Sequence, residues 1–179
     1  MAITLTQLEQ YLDRLELKYT TREDGTIVLL SGSDTQTQGT FLKLKEDGEM
    51  FSMETNLYDA NNDMIKIPAD SPHKLAIFEY ILDKNFTLKF GCWEIDSNDG
   101  EIKFTVEFPI EDSNVTEKQF LRIMSIVMGT SANEMFSEVR RVIKTGSAQL
   151  SPEDEIAELR RKLAEAERRA QGGSDSSGI

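Results

Sequence analysis

The stretch Phe90-Gly91-Cys92-Trp93-Glu94-Ile95-Asp96-Ser97-Asn98-Asp99-Gly100-Glu101-Ile102-Lys103-Phe104-Thr105-Val106-Glu107-Phe108 decides the fold. Two β-rich runs flank Asn98-Asp99-Gly100, and Asp-Gly between such runs marks a hairpin, because a tight turn needs positive φ. On the second arm Ile102, Phe104, Val106 and Phe108 alternate with Lys103, Thr105 and Glu107, the mark of a strand with one buried face. The first arm is less regular. Leu88, Phe90 and Cys92 share one face while Trp93 and Ile95 take the other, so either both faces are covered or a bulge near Gly91 shifts the phase. The hairpin reads as the spine of a sheet. Trp93 and Ile95 then need cover from the flanking helices, a second subunit or a client.

At 179 residues the chain suits one domain plus an appendage. A body of about 145 residues buries roughly two thirds of its unfolded surface, enough for a core without staples. The single cysteine, Cys92, excludes an intramolecular disulfide framework, and its place in a strand predicts a reduced, buried thiol. Met1 to Gln7 lacks the basic segment and apolar run of a signal peptide, and no run of about 18 apolar residues exists, so a cytoplasmic protein without membrane insertion is expected. A net charge of −12 argues against non-specific nucleic-acid binding. Such acidity serves solubility, or it repels wrong partners and steers toward basic ones.

Outward from the hairpin, the pattern is helical at both ends and strand-like between. Thr4 or Thr6 opens the first helix; Thr6-Gln7-Leu8-Glu9 fits a capping box, and Leu5, Leu8, Leu12 and Leu15 form one stripe. Asp24-Gly25 precedes Thr26 to Leu30, an apolar run consistent with a central strand covered on both faces. Ser31 to Gly39 is polar and rich in turn residues, so it reads as an exposed loop. Phe41 to Lys45 and Phe51 to Leu57 are strands about the turn Asp47-Gly48. Ser71-Pro72 reads as a helix N-cap and first turn; Leu75, Phe78, Ile81 and Leu82 follow on one side, with Ala76, Ile77 and Tyr80 widening the apolar arc. So wide an arc predicts packing against the sheet and against another surface.

After the hairpin, Thr116-Glu117-Lys118-Gln119 is a capping box for a helix with stripe Phe120, Ile123, Met124, Val127 and Met128, and Leu121 and Ile126 beside it. Gly129 breaks it, Ser131-Ala132-Asn133-Glu134 restarts it, and Met135, Phe136, Val139, Val142 and Ile143 run to a stop at Gly146. Residues 147–150 are a linker. Ser151-Pro152 opens a last helix over 151–170, where Ile156, Leu159, Leu163, Ala166 and Ala170 keep a 3-4-3-4 spacing and Glu158–Lys162 and Glu165–Arg169 pair four apart. Two heptads are marginal alone. The serine- and glycine-rich 171–179 is expected to be disordered.

Chemistry is hard to find. Asp59, Asn61 and Asp63 have the opening spacing of a calcium loop, but Met64 stands where glycine is required and Asp70 where a bidentate Glu belongs, so a plain loop is expected. His73 is the only histidine and has no nucleophile beside it in sequence. No Cys/His metal spacing, P-loop or dinucleotide fingerprint occurs. The acidic pairs Glu94/Asp96 and Glu111/Asp112 read as solvated carboxylates. No catalytic, cofactor or metal residues are expected, and the methionines Met50, Met53, Met124, Met128 and Met135 read as gap-fillers.

The hairpin sequence Phe90 to Ile102, then Phe108-Pro109-Ile110-Glu111-Asp112 and Thr116-Glu117-Lys118-Gln119-Phe120-Leu121, resembles the YbjN family, bacterial proteins described as sensory transduction regulators and similar in fold to type III secretion chaperones. The resemblance covers roughly 3–144; the 151–170 helix is an addition to it. It implies an α+β domain over 1–146, an antiparallel sheet of about five strands packed by helices in the order α-βββ-α-ββ-α-α, no catalytic motif, and action through protein contacts, often as a dimer. The leading expectation is therefore a non-enzymatic adaptor, chaperone or regulator of protein partners, with homodimerisation as one form. A small-molecule sensor with a pocket between sheet and helices near Trp93 is the alternative, and a carboxylate enzyme a distant third. The residues expected to meet a partner are Trp93, Ile95, Ile156, Leu159 and Leu163.

Overall fold

The computed structural model describes residues 3–33, 36–111, 113–128, 130–153, 155–157, 159–160, 163–164 and 167, the side chains at 33, 36 and 130–133 excepted. It is an α+β structure: α1 (Leu5–Arg14), β1 (Thr20–Thr21), β2 (Ile27–Ser33), β3 (Gln36–Lys45), β4 (Met50–Tyr58), α2 (Lys74–Thr87), β5 (Cys92–Ile95), β6 (Ile102–Pro109), α3 (Glu117–Met128) and α4 (Thr130–Thr145), with a 3-10 turn at Glu46–Gly48. The strands form one antiparallel sheet in the order β1-β2-β3-β4-β6-β5. The five expected strands are present, and a sixth is added. The Asp24-Gly25 turn folds Thr20 and Thr21 back onto Val28 and Ile27.

Period-two alternation sets the sheet's two faces. Ile27, Leu29, Leu42, Phe51, Met53, Leu57, Trp93, Ile102, Phe104 and Val106 point inward, where Leu8 and Leu12 of α1, Ile77 and Ile81 of α2, Phe120, Ile123, Met124 and Val127 of α3, and Phe136, Val139 and Val142 of α4 join them in one buried cluster. The other face is polar: Lys43 and Lys103 reach Glu54 (3.5 and 3.8 Å), Lys103 reaches Glu94 (3.5 Å) and Lys45 reaches Glu107 (2.6 Å). Such exposed pairs each stabilise by only about 0–1 kcal/mol, so the inner face holds the fold.

Four expectations are corrected. The segment expected as a loop at Ser31 to Gly39 is mostly hairpin, pairing Ser31 with Gln38, Gly32 with Thr37 and Ser33 with Gln36. Its polar residues mislead because backbone pairing is indifferent to them; Thr40 even spends its hydroxyl on buried Thr55 at 3.0 Å. Strand β2 is covered on one face only, since it lies next to the two-residue edge strand and Leu30 points to solvent. Helix α1 is capped by Thr4, whose hydroxyl accepts from the Gln7 N–H at 3.3 Å while Gln7 Oε1 accepts from the Thr4 N–H at 2.9 Å, leaving Thr6 inside the helix. Ser71-Pro72 forms a turn before α2, which begins at Lys74 with His73 at the cap and no side-chain capping bond.

The box at Thr116 forms as expected, with Gln119 Oε1 accepting from the Thr116 N–H at 2.9 Å. Gly146, at φ +76°, ends α4 by donating to the Val142 carbonyl at 2.8 Å. The expected Ser131–Glu134 box, Ala166 and Ala170, the pairs Glu158–Lys162 and Glu165–Arg169, and 171–179 fall wholly or partly outside the described residues. Among the described residues, no helix is long and apolar enough to cross a membrane.

Candidate functional site

The hairpin at the centre of the sequence is built from inside. Gly91, at φ +78°, turns the chain after Phe90 and sits so close to β6 that a Cβ there would lie 2.5 Å from Phe104 Cζ. That turn resets the phase. Trp93 and Ile95 face inward, and Cys92 and Glu94 outward. Trp93 is 3% exposed, packed edge-on against Phe104 and Phe136 at 5.6 and 5.4 Å between ring centres. Its cover is thus α4 of the same chain, and its indole N–H has no hydrogen-bond partner among the described residues. Asn85 of α2 closes the outer edge of β5, accepting from the Trp93 N–H at 2.8 Å and donating to its carbonyl at 3.0 Å. An edge strand so capped is blunted against pairing with another chain.

Cys92 is exposed, not buried, because the inward phase belongs to Trp93. Partial burial, then Glu94, pushes its thiol up, away from the thiolate that nucleophilic chemistry needs. A hollow of about 460 Å³ lies beside the hairpin, lined by Glu94, Ile95, Asp96, Ser97, Glu101 and Lys103. Its carboxylates are engaged: Glu101 accepts from Asn56 Nδ2 at 2.9 Å, Glu94 from Thr105 Oγ1 at 3.1 Å, and Asp96 from the Asn98 N–H at 2.8 Å. The Asp59 carboxylate likewise serves its own loop, accepting from the Asn61 and Asp63 N–H groups at 2.9 and 3.0 Å. His73 stands against Gly146, where a Cβ would lie 2.6 Å from its Nδ1. Arg140 on α4 donates to the Thr37 carbonyl at 2.8 Å, and burial brings its guanidinium down to about 10, so it ties α4 to β3. Among the described residues, no cluster of three or more His, Cys, Asp or Glu is placed to hold a metal ion.

The larger opening is apolar. A groove of about 710 Å³ runs between α3 and the segment after α2, with Leu88, Phe90, Phe108, Ile123 and Ile126 lining it and Lys89, Gln119, Arg122 and Ser125 among its polar residues. Phe90 and Phe108 meet as tilted rings, 5.8 Å between centres, and Phe51 continues the row at 5.2 Å from Phe108, so the aromatic floor is anchored in the core. Lys89 and Arg122 form no ion pair among the described residues. In a chain with 32 acidic against 20 basic residues, a groove flanked by two cations and lined by no carboxylate is a local reversal of charge.

Of the residues expected to meet a partner, Trp93 is in the core, Ile95 is half-buried beside it, and Ile156, Leu159 and Leu163 are all at least half exposed. The structure does not bring the two groups together into one site. The sequence did not flag the groove, because its walls come from residues 88–90, 108 and 119–126, each unexceptional alone. Its one legible trace was Ile126, beside the main stripe of α3. No family model, no curated protein and no solved structure matches the chain.

Proposed function

We propose that this chain is a non-enzymatic, protein-binding adaptor or chaperone-like regulator that takes an apolar segment of its partner into the groove between α3 and Leu88–Phe90. The observation that carries this is the groove itself: an apolar, aromatic floor bordered by Lys89 and Arg122 on an otherwise acidic chain. The segment Gln119 to Ile126 offers about two helical turns of wall, the length over which a partner helix presents two or three anchors at i, i+3 and i+4. The order of helices around an antiparallel sheet supports the YbjN-like, type III secretion chaperone-like reading. The engaged carboxylates of the hairpin support a role without acid–base chemistry.

The test is selection of helical peptides from a display library on the immobilised full chain. Acidic amphipathic sequences should emerge. Ile126→Glu should weaken them at least tenfold, and Arg122→Glu should remove the preference for acidic flanks. Selected peptides that bind both variants as they bind the parent chain refute the proposal. A small-molecule sensor is the second reading. It is favoured by the groove's volume, which lies within the usual range for ligand pockets, and it uses the groove because Phe104 and Phe136 fill the space beside Trp93.

A further inference from the structure

The sheet ends in two edges that are finished differently. On β5 the outward N–H and C=O of Trp93 are both taken by the Asn85 side chain, at 2.8 and 3.0 Å. At the far edge β1 covers β2 only as far as Val28, which pairs with Thr20. The Thr26 carbonyl accepts from the Arg22 N–H at 2.9 Å, so Thr26 and Val28, and by alternation Leu30 and Gly32, aim their backbone groups away from β3. Among the described residues, nothing hydrogen-bonds the outward backbone groups of Leu30 and Gly32. Nor does the chain before β1 run along them. The Leu17 N–H bonds the Leu12 carbonyl of α1 at 3.1 Å, and Leu17 and Tyr19 pack on the core. Three residues reach about 10 Å, the separation of packed layers, so the segment from Leu17 to Thr20 is used up in crossing from α1 to the sheet.

An open edge is ordinarily defended by charge, proline or a bulge. Leu29-Leu30-Ser31-Gly32-Ser33 has no charged residue and no proline, its pairing with β3 is unbroken, and Leu30 is 68% exposed. We propose that this edge is a dimer interface, where β2 of a second copy adds antiparallel across a two-fold axis at Ser31 and joins the two six-stranded sheets into one. Self-complementarity identifies the occupant. About Ser31, Leu30 faces the partner's Gly32 and Gly32 the partner's Leu30, both as hydrogen-bonded pairs, so four bonds use every open group of both copies. A register two residues shorter would set Gly32 against Val28, which Thr20 already holds, and one two residues longer would set Leu30 beyond Ser33, where β2 ends. The side chains agree with the backbone. Each Leu30 lies across from a glycine, on the face away from the helices, and covers the space that the missing side chain leaves. The Asn85 cap on β5 stops the assembly at two copies, where two open edges would continue into a fibre. Two short strands bury little surface, so concentration controls this dimer. The groove lies beside β6, with β3 and β4 between it and this edge, so the pairing stands or falls apart from the proposed function.

Sedimentation equilibrium of the full chain, carried up to about 1 mM, tests the association, and its average mass should rise toward twice that of one copy. Leu30→Lys sets a like charge near each side of the axis and should raise the dissociation constant at least tenfold. Leu82→Lys adds the same charge on the exposed side of α2 and should leave the constant within twofold. Both side chains are exposed, so the core tolerates either change. Residue-resolved hydrogen exchange on the unsubstituted chain locates the contact. The amides of Leu30 and Gly32, open in one copy, should slow at least threefold between dilute and concentrated samples, while the Trp93 amide, held by Asn85, should not change. A chain that is still monomeric at the highest concentration overturns the inference and leaves the edge to a strand of another protein. A dimer that Leu82→Lys dissolves and Leu30→Lys does not also overturns it, by giving the contact to α2. So does a dimer whose Leu30 and Gly32 amides exchange alike at both concentrations.

Discussion

Gly100 holds the tip of the β5–β6 hairpin, at the edge of the sheet, against the segment that leads into α2, and replacing it by alanine should be far more costly than its turn position alone implies. Its φ is +76°, and an added Cβ would lie 2.1 Å from the Ile67 carbonyl oxygen. The backbone conformation by itself costs an alanine about 1–2 kcal/mol. The contact adds to this because the obstructing atom is backbone and has no rotamer to retreat into. Relief must separate 66–67 from the hairpin, which breaks the Ile67 N–H to Gly100 carbonyl bond at 2.8 Å and loosens the Lys66–Asp99 pair. A hydrogen bond contributes a net of about 1 kcal/mol and the exposed pair less, so Gly100→Ala should destabilise by about 3 kcal/mol. Gly25→Ala is the control. Its φ is +79°, nearly the same, but its nearest contact would be Leu5 Cδ2 at 3.8 Å, an ordinary separation, so about 1 kcal/mol is expected there. Urea unfolding followed through the single tryptophan, Trp93, reads both. At an m-value of about 2 kcal/mol/M, the Gly100 variant should unfold about 1 M before the Gly25 variant. Equal midpoints would refute the steric reasoning and leave only the shared cost of positive φ.

Two further substitutions probe how the helices hold the hairpin. Phe136→Ala removes the ring that covers Trp93 from α4 and should cost about 3–5 kcal/mol, with a red-shifted tryptophan emission as water reaches the indole; an unshifted spectrum would mean another group covers Trp93. Glu138 titrates low, because although burial works to raise it, Lys84 at 2.8 Å and the Tyr80 hydroxyl outweigh that effect. A carboxyl depressed on folding stabilises fully above its unfolded value, near pH 4.5, and that contribution is lost as pH falls through the lower folded value. The parent chain should therefore lose more stability than Glu138→Gln between about pH 5 and pH 3, by about 0.5–1 kcal/mol given the partial exposure of both partners. Parallel stability curves over that range would show that Glu138 does not link α2 to α4.

What the sequence discloses depends on whether a pattern has one solution or two. Ile102, Phe104, Val106 and Phe108 alternate without ambiguity, and the capping residues Thr116 and Gln119 fix a helix start, so both are read correctly from the chain alone. On the first arm of the hairpin the same alternation has two phases, and the choice falls to Gly91, whose turn is set by Phe104 and Val106 on a different strand. Cys92 is misread for that reason. The groove escapes because three separate segments form it, and no periodicity spans them.

Helix α2 shows the limit most clearly. Leu75, Phe78, Ile81 and Leu82 are expected on one side with Ile77 flanking, yet only Ile81 of that stripe is buried, together with Ile77, while Leu75, Phe78 and Leu82 are exposed. Asn85 on the Trp93 backbone and Tyr80 and Lys84 on Glu138 fix the rotation of α2 and turn Ile77 and Ile81 inward, and no periodicity in α2 itself records those contacts. Leu75, Phe78 and Leu82 therefore lie outside the core although they share the apolar arc with it.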